Sequence, residues 1–177
     1  MPGLPGDSKK RFLSTIEKIL RLHPDMVRLY PTLVIKGTKL AELYRIGEYT
    51  PLSMEDAIEI CESSCLNLEE QGIPVIRMGL MSSPSLLKDG QILAGPWHSA
   101  FGFLVRSRMH HKRIEAFLPK PGEASKIGLR APMRTIPLIR GYKNNGFRMI
   151  EEKTGSRIEY LKPDDSISND HLGVDLL

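Results

Sequence analysis

The basic, glycine-rich segment from Arg140 to Arg148 has residue types and a spacing that could bind phosphate. A glycine-rich turn that opens a helix presents unpaired N–H groups and the positive end of the helix dipole. Arg140, Lys143 and Arg148 add positive charge around that turn, while Gly141 and Asn144 are residues that tolerate positive φ angles. These features predict a phosphate-binding turn, although a solvated basic loop remains an alternative.

The charge of the chain is concentrated around this segment. The 177 residues carry a formal net charge of +4, yet residues 105–148 hold 11 Lys and Arg against 2 Asp and Glu, a net charge of +9. The rest of the chain therefore has a net charge of −5. A local basic surface of this kind favours an anionic partner such as RNA.

The two cysteines of the chain, Cys61 and Cys65, are spaced C-x3-C, which could be two thirds of an iron–sulfur motif. The sequence contains no third cysteine to complete such a site. The i,i+4 spacing places both thiols on the apolar face of a predicted helix, together with Ile58 and Leu68. The pattern therefore predicts buried core thiols.

Three histidines are weaker candidates. His98 follows the single tryptophan, Trp97, and either takes part in catalysis or makes a structural contact. His110 and His111 are adjacent to basic residues, which favours solvated side chains. Neighbouring helix residues point in different directions, so these two histidines are poorly placed to bind one metal ion.

The elements around these residues alternate between strand and helix. An apolar segment within Met26–Thr38 predicts a buried strand, preceded by a helix that Asp7 or Ser8 caps. A helix over 53–71 and a strand over 73–80 follow, which indicates parallel strands covered by helices. Further along the chain, alternation of polar and apolar residues predicts a strand over 113–118. The Lys-Pro-Gly-Glu segment at 120–123 is typical of a loop, and a short helix is predicted after it over 124–129.

The segments Gly-Leu-Pro-Gly-Asp at residues 3–7 and Tyr-Pro-Thr-Leu-Val-Ile-Lys-Gly-Thr at residues 30–38 resemble radical S-adenosylmethionine (SAM) enzymes. The resemblance covers about residues 1–100 and is strongest to the branch like the Elongator catalytic subunit; oxygen-independent coproporphyrinogen oxidase is more distant. It implies the closing part of a partial βα (TIM-like) barrel. It also implies cofactor contacts at residues matching Leu29, Tyr30 and Pro31 near the adenine, and Gly3 and Gly6 at the turn.

Such enzymes use SAM and a [4Fe–4S] cluster held by three cysteines upstream of any segment matched here. The resemblance therefore implies that the chain is a C-terminal part, that it holds neither cofactor alone and that it is inactive by itself.

The segment from Gly141 to Tyr160 resembles the end of a KH-type RNA-binding module. That core has a Gly-x-x-Gly turn, a helix with two inward apolar residues, then Thr-Gly and a strand; Phe147 and Ile150 stand at the inward positions. Asn144 replaces the second glycine of the turn, which makes a close approach of phosphate less certain. The resemblance implies binding of tRNA or other single-stranded RNA.

Together these patterns predict an α/β chain with a partial barrel at 1–80, a bridging loop and helix at 81–112, a small α+β KH-like module at 113–162 and a disordered tail at 163–177. The predicted function is the C-terminal portion of a radical SAM enzyme acting on RNA. A non-catalytic RNA-binding module and a coproporphyrinogen oxidase-like oxidoreductase fragment remain alternatives. We also expect a cytoplasmic location without membrane association, and self-association through an exposed sheet edge.

Overall fold

Helices and short strands alternate along the chain in the computed structural model, which describes residues 1–84, 86 and 88–177. The chain divides into two compact units, Met1–Val105 and Arg106–Leu177. The division falls inside the predicted bridging segment 81–112. Within the described residues, no helix is long and apolar enough to cross a membrane.

The first unit contains two small sheets, three complete helices and the start of a fourth. Its elements are α1 (Lys9–Leu22), β1 (Val27–Leu29), β2 (Val34–Ile35), α2 (Lys39–Arg45), α3 (Met54–Glu70), β3 (Val75–Met78), β4 (Ile92–Ala94) and the start of α4 (Phe101–Ile114). Strands β1 and β3 pair in parallel, and β2 pairs with β4 in the antiparallel direction. The predicted parallel pairing is therefore confirmed for β1 and β3.

Local sequence signals explain the helix boundaries in this unit. Ser8 and Ser53 are the N-caps of α1 and α3, and their hydroxyl groups accept hydrogen bonds from the N–H groups of Arg11 and Asp56. Residues 1–6 form turns. The glycines of this segment have positive φ angles, which an extended strand does not allow.

The second unit begins within α4 and continues through a 3-10 turn (Glu115–Phe117), β5 (Lys126–Ala131), α5 (Ile136–Arg140), a second 3-10 turn (Tyr142–Asn144), α6 (Asn145–Thr154), β6 (Arg157–Pro163) and β7 (Gly173–Leu176). Strand β5 is central, parallel to β6 and antiparallel to β7. Its core consists of buried residues from the sheet and helices: Ile114, Ile127, Leu129, Ala131, Ile139, Ile150 and Leu172.

Two predicted elements of the second unit are wrong. The strand predicted at 113–118 is the end of α4 followed by a 3-10 turn, because Ile114 points into the core from a helix. The helix predicted at 124–129 is mostly strand β5, where alternate residues Ile127, Leu129 and Ala131 are buried. A pattern of so few residues is compatible with either a helix or a strand. Pairing with β6 and β7 makes residues 126–131 a strand.

The tail predicted to be disordered from Pro163 onward contains a strand. Residues Gly173–Leu176 pair with β5, and Leu172 is buried beside them. Arg130 fixes the tail further, because its guanidinium bonds Asp164 at 2.9 Å and Asp175 at 3.1 and 3.2 Å. Acidic residues that suggested a solvated tail are therefore the partners of a strand arginine.

Candidate SAM-facing and RNA-facing sites

Two groups of predicted site residues lie in separate units. Gly3, Gly6 and the segment Leu29–Pro31 belong to the first unit, and the turn residues Arg140, Gly141, Lys143, Asn144 and Arg148 belong to the second.

In the first unit, the N-terminal turn contacts the segment that follows β1. The N–H and the hydroxyl of Thr32 both donate to the carbonyl of Pro2, each at 2.9 Å. Gly3 is fixed by its N–H, which donates to the Asp7 carboxylate at 3.0 Å, and by its carbonyl, which accepts from the Tyr49 hydroxyl at 2.5 Å. The structure thus brings Gly3 close to the Leu29–Pro31 segment.

Gly95 also lies close to the residues that follow the Leu29–Pro31 segment. An ideal Cβ on Gly95 would lie 3.0 Å from the carbonyl oxygen of Thr32 and 3.2 Å from the Cα of Leu33, so this position requires close backbone approach. Thr32, Tyr49 and Gly95 were not predicted as site residues. The sequence signal that could have identified Gly95 is the Gly-Pro-Trp-His segment at residues 95–98.

Few side chains of the predicted adenine segment are available to a ligand. Leu29 and Pro31 are buried, and Tyr30 is half-buried. Gly6 is exposed, and its carbonyl accepts from Arg11 at 2.6 Å. The segment could therefore hold SAM through backbone groups and the Tyr30 ring, while Leu29 and Pro31 support the backbone from within the core.

The cysteines do not fit an iron–sulfur cluster. Cys61 and Cys65 are not in a disulfide, and both are fully buried on α3, as the sequence predicts. Burial, and then the neighbouring Cys65, raises the pKa of the Cys61 thiol to about 12, which disfavours the thiolate that binds metal. Among the described residues there is no group of three His, Cys, Asp or Glu that could hold a metal ion.

The histidines have structural contacts. The Nδ1 atom of His98 accepts from the N–H of Ala100 at 3.0 Å, at the start of α4. The prediction that His110 and His111 are solvated is wrong: His110 is 3% exposed, and His111 is half-buried with Nε2 2.9 Å from the Ile139 carbonyl. Both histidines belong to the second unit, where His111 contacts the end of α5.

In the second unit, the predicted turn connects α5 to α6. Gly141, Lys143 and Asn144 have φ angles of 70°, 51° and 61°, so the chain turns through three residues in the left-handed region. The Asn144 side chain makes no capping hydrogen bond with α6. The N–H groups of the first turn of α6 are therefore not satisfied by this side chain.

The cations at this turn differ from the other basic residues of the unit. Lys126 pairs with Glu159, and Arg130 pairs with two aspartates. In contrast, Arg140, Lys143 and Arg148 are exposed and have no acidic partner in the described part of the chain. The guanidinium of Arg140 lies over the Phe147 ring at 5.5 Å, and Arg148 donates to the Lys143 carbonyl at 3.3 Å.

Comparisons with known proteins identify the class of the chain. Residues 24–111 match the Radical_SAM C-terminal domain. A solved structure of Elp3 from the archaeon Methanocaldococcus infernus, with residues 1–46 deleted, is similar with a TM-score of 0.51 and 31% identity, over 63% of this chain and 26% of that chain. The chain therefore belongs to the radical SAM family and carries its C-terminal domain.

Curated relatives define the branch. The tRNA uridine(34) acetyltransferase of Methanocaldococcus jannaschii is 46% identical over 63 residues, and Elongator complex protein 3 of Bos taurus is 40% identical over 63 residues. Each match covers 34% of this chain and 12% of the relative. The chain falls within the Elongator-like branch, and its matched part spans about an eighth of these relatives.

Proposed function

We propose that the protein takes part in tRNA modification by a radical SAM protein of the Elongator-like type, and that its second unit binds single-stranded RNA. The relatives named tRNA uridine(34) acetyltransferase support tRNA as the substrate class. The first unit would form part of a βα barrel and contribute one wall of the SAM pocket through Gly3, Gly6 and the segment Leu29–Pro31.

The observation that carries the RNA proposal is the turn at Gly141. It lies between two helices that join the parallel strands β5 and β6, in the order strand, helix, turn, helix, strand. This order supports a KH-like module, in which such a turn contacts the nucleic acid backbone.

Electrostatics supports the same function. The turn combines the N-terminus of α6 with three exposed cations, Arg140, Lys143 and Arg148. None of the three has an acidic partner among the described residues. Phosphate groups are favoured there by the helix dipole and by direct charge. Because these contacts address the backbone of the nucleic acid, we expect affinity that depends on salt and weakly on sequence.

Fluorescence anisotropy with a labelled tRNA and a single-stranded RNA, across a salt series, tests this proposal. Lys143→Asn is the sharpest variant because asparagine tolerates the left-handed conformation at φ 51°. Loss of one phosphate contact should reduce the slope of log affinity against log salt by about 0.7–0.9. Arg148→Gln should act similarly, and single-stranded RNA should compete better than duplex.

The matched control is Lys18→Gln, which removes one positive charge from an exposed position of α1. It should bind RNA as the wild type does. Equal affinity and equal salt slopes for the wild type, Lys143→Asn and Arg148→Gln would show that the turn is only a solvated basic loop.

A further inference from the structure

Two arginines stand side by side on the parallel pair of the first unit. Arg28 of β1 and Arg77 of β3 are Cα partners in the register of the two strands, and both are exposed. In the next pair, Leu29 is buried and Met78 is half-buried. Because paired residues of adjacent strands point to the same face and the next residues point to the other, Arg28 and Arg77 share the face opposite to Leu29 and Met78.

An irregularity in the pairing creates this arrangement. The register shifts between Val27 and Arg28, where Val27 pairs with Val75 and Arg28 pairs with Arg77. Regular pairing would place Arg28 opposite Ile76 instead. A bulge that re-aims a side chain is a recurrent feature beside binding and active sites.

The two positive charges have no ion-pair partner in the part of the chain that the structure describes. Neither Arg28 nor Arg77 has an acidic partner among the described residues, and the guanidinium of Arg77 contacts only the Met81 sulfur, at 3.4 Å. Like charges directly opposite one another destabilise a sheet. An oxyanion between them would remove this repulsion, and the planar guanidinium fork matches both carboxylate and phosphate.

The location also favours a ligand. Arg77 is the penultimate residue of β3, and the N–H of Gly79 donates to the carbonyl of Leu29 at 2.9 Å, so both strands end together. Ligands of parallel α/β sheets bind at the carboxyl ends of the strands. Tyr30 follows β1 at this same end.

We propose that Arg28 and Arg77 form a binding site for the carboxylate or phosphate group of a small ligand. For SAM as the ligand, the site rests on the SAM pocket proposed for the first unit; it does not depend on RNA binding at the Gly141 turn. The two arginines would hold one oxyanion from two adjacent strands, each through charge-assisted hydrogen bonds.

The test is a titration of the isotope-labelled 177-residue chain, followed by NMR, with two probes: SAM, which carries an amino-acid carboxylate, and inorganic pyrophosphate. Saturable shifts should include the amides of Arg28, Ile76 and Arg77. Arg28→Gln and Arg77→Gln should each weaken binding on the order of tenfold, because each removes charged hydrogen bonds. Arg77→Lys, which keeps the charge but loses the fork, should be intermediate.

Arg45→Gln is the matched control, since Arg45 is an exposed arginine in the last turn of α2, and it should bind as the wild type does. Saturation by SAM alone assigns a carboxylate, and saturation by pyrophosphate alone assigns a phosphate. No saturable binding of either probe, or unchanged affinity in both glutamine variants, would overturn the proposal. Lys143→Asn should leave these titrations unchanged, so a failure of RNA binding is recognised separately.

Discussion

Ser107 and His111 lie one turn apart on α4 and contact consecutive carbonyl groups at the end of α5. The Ser107 hydroxyl donates to the carbonyl of Leu138 at 2.7 Å, and the Nε2 atom of His111 lies 2.9 Å from that of Ile139. Because a carbonyl only accepts, Nε2 of His111 must carry the hydrogen. These contacts fix the end of α5, where the turn at Gly141 begins.

Gly146→Ala should destabilise the second unit by about 1–3 kcal/mol, the range for overpacking a filled core. An ideal Cβ on Gly146 would lie 2.5 Å from Nε2 of His111 and closer still to the carbonyl of Ile139. The methyl group would therefore push α6 away from α4 and α5. Urea unfolding followed by circular dichroism measures the loss.

The control for this prediction is Gly102→Ala. Gly102 lies in the first turn of α4, where the nearest atom to an added Cβ is 3.4 Å away. This variant should be neutral or slightly stabilising because alanine restricts the unfolded chain. Equal unfolding free energies for the Gly146→Ala variant and the wild type would contradict the close approach.

Cys61 and Cys65 should resist thiol reagents in the folded chain. The thiolate is the reactive form, and burial, then the neighbouring Cys65, raises the pKa of Cys61 to about 12. Ellman's reagent at pH 8 should label native protein slowly and urea-unfolded protein at both thiols. A Ser14→Cys variant, with its thiol on an exposed position of α1, should react quickly at one additional site. Rapid labelling of two thiols in native wild type would refute the prediction.

The chain should self-associate through the sheet formed by β1 and β3. In the part of the chain that the structure describes, β1 pairs with β3 alone, which leaves strand edges without partners. Sedimentation velocity at increasing concentration should reveal dimers or larger species. Ile76→Lys, which charges an exposed strand position, should reduce association, whereas Ile46→Lys on exposed Ile46 outside the strands should not. Identical behaviour of the two variants would argue against this sheet.

Elements with long, regular apolar patterns were predicted correctly from the sequence. The helix predicted over 53–71 is α3, and the strand predicted over 73–80 contains β3, because capping at Ser53 and the stop after Gln71 are local signals. The second unit was harder to predict. Strand β5 lies at the centre of its sheet because it pairs with β6 and β7, which come later in the sequence and which local patterns do not reveal.

Among the site residues, too, local features were predictable from the sequence and features that depend on distant segments were not. The positive φ angles of Gly141 and Asn144 were predictable because glycine and asparagine favour them, whereas that of Lys143 was not, since lysine rarely adopts one. The pairing of Arg28 with Arg77 was not, since it depends on a register shift between two strands that lie far apart in the sequence. Likewise, the burial of His110 depends on how the whole of α4 packs.

His110 should make the second unit sensitive to acid. Its side chain is 3% exposed, and Nε2 has no hydrogen-bond partner in the described residues. Burial lowers the pKa of His110 from 6.5 to about 4; the nearby charges of His111 and Arg113 lower it further, while Asp170 raises it. The folded protein therefore keeps this imidazole neutral where the unfolded chain takes up a proton.

Because the pKa of His110 is lower in the folded state, its effect on stability is absent above pH 6.5 and develops as the pH falls toward 4. Between these values, the unfolding free energy should fall by about 1.4 kcal/mol per pH unit through this residue. His110→Leu should remove that part of the slope, whereas His23→Asn, at an exposed position, should retain it. Urea unfolding at pH 7, 6, 5 and 4.5 measures the difference. If His110→Leu loses stability toward acid as steeply as the wild type, protonation of His110 does not drive the acid sensitivity.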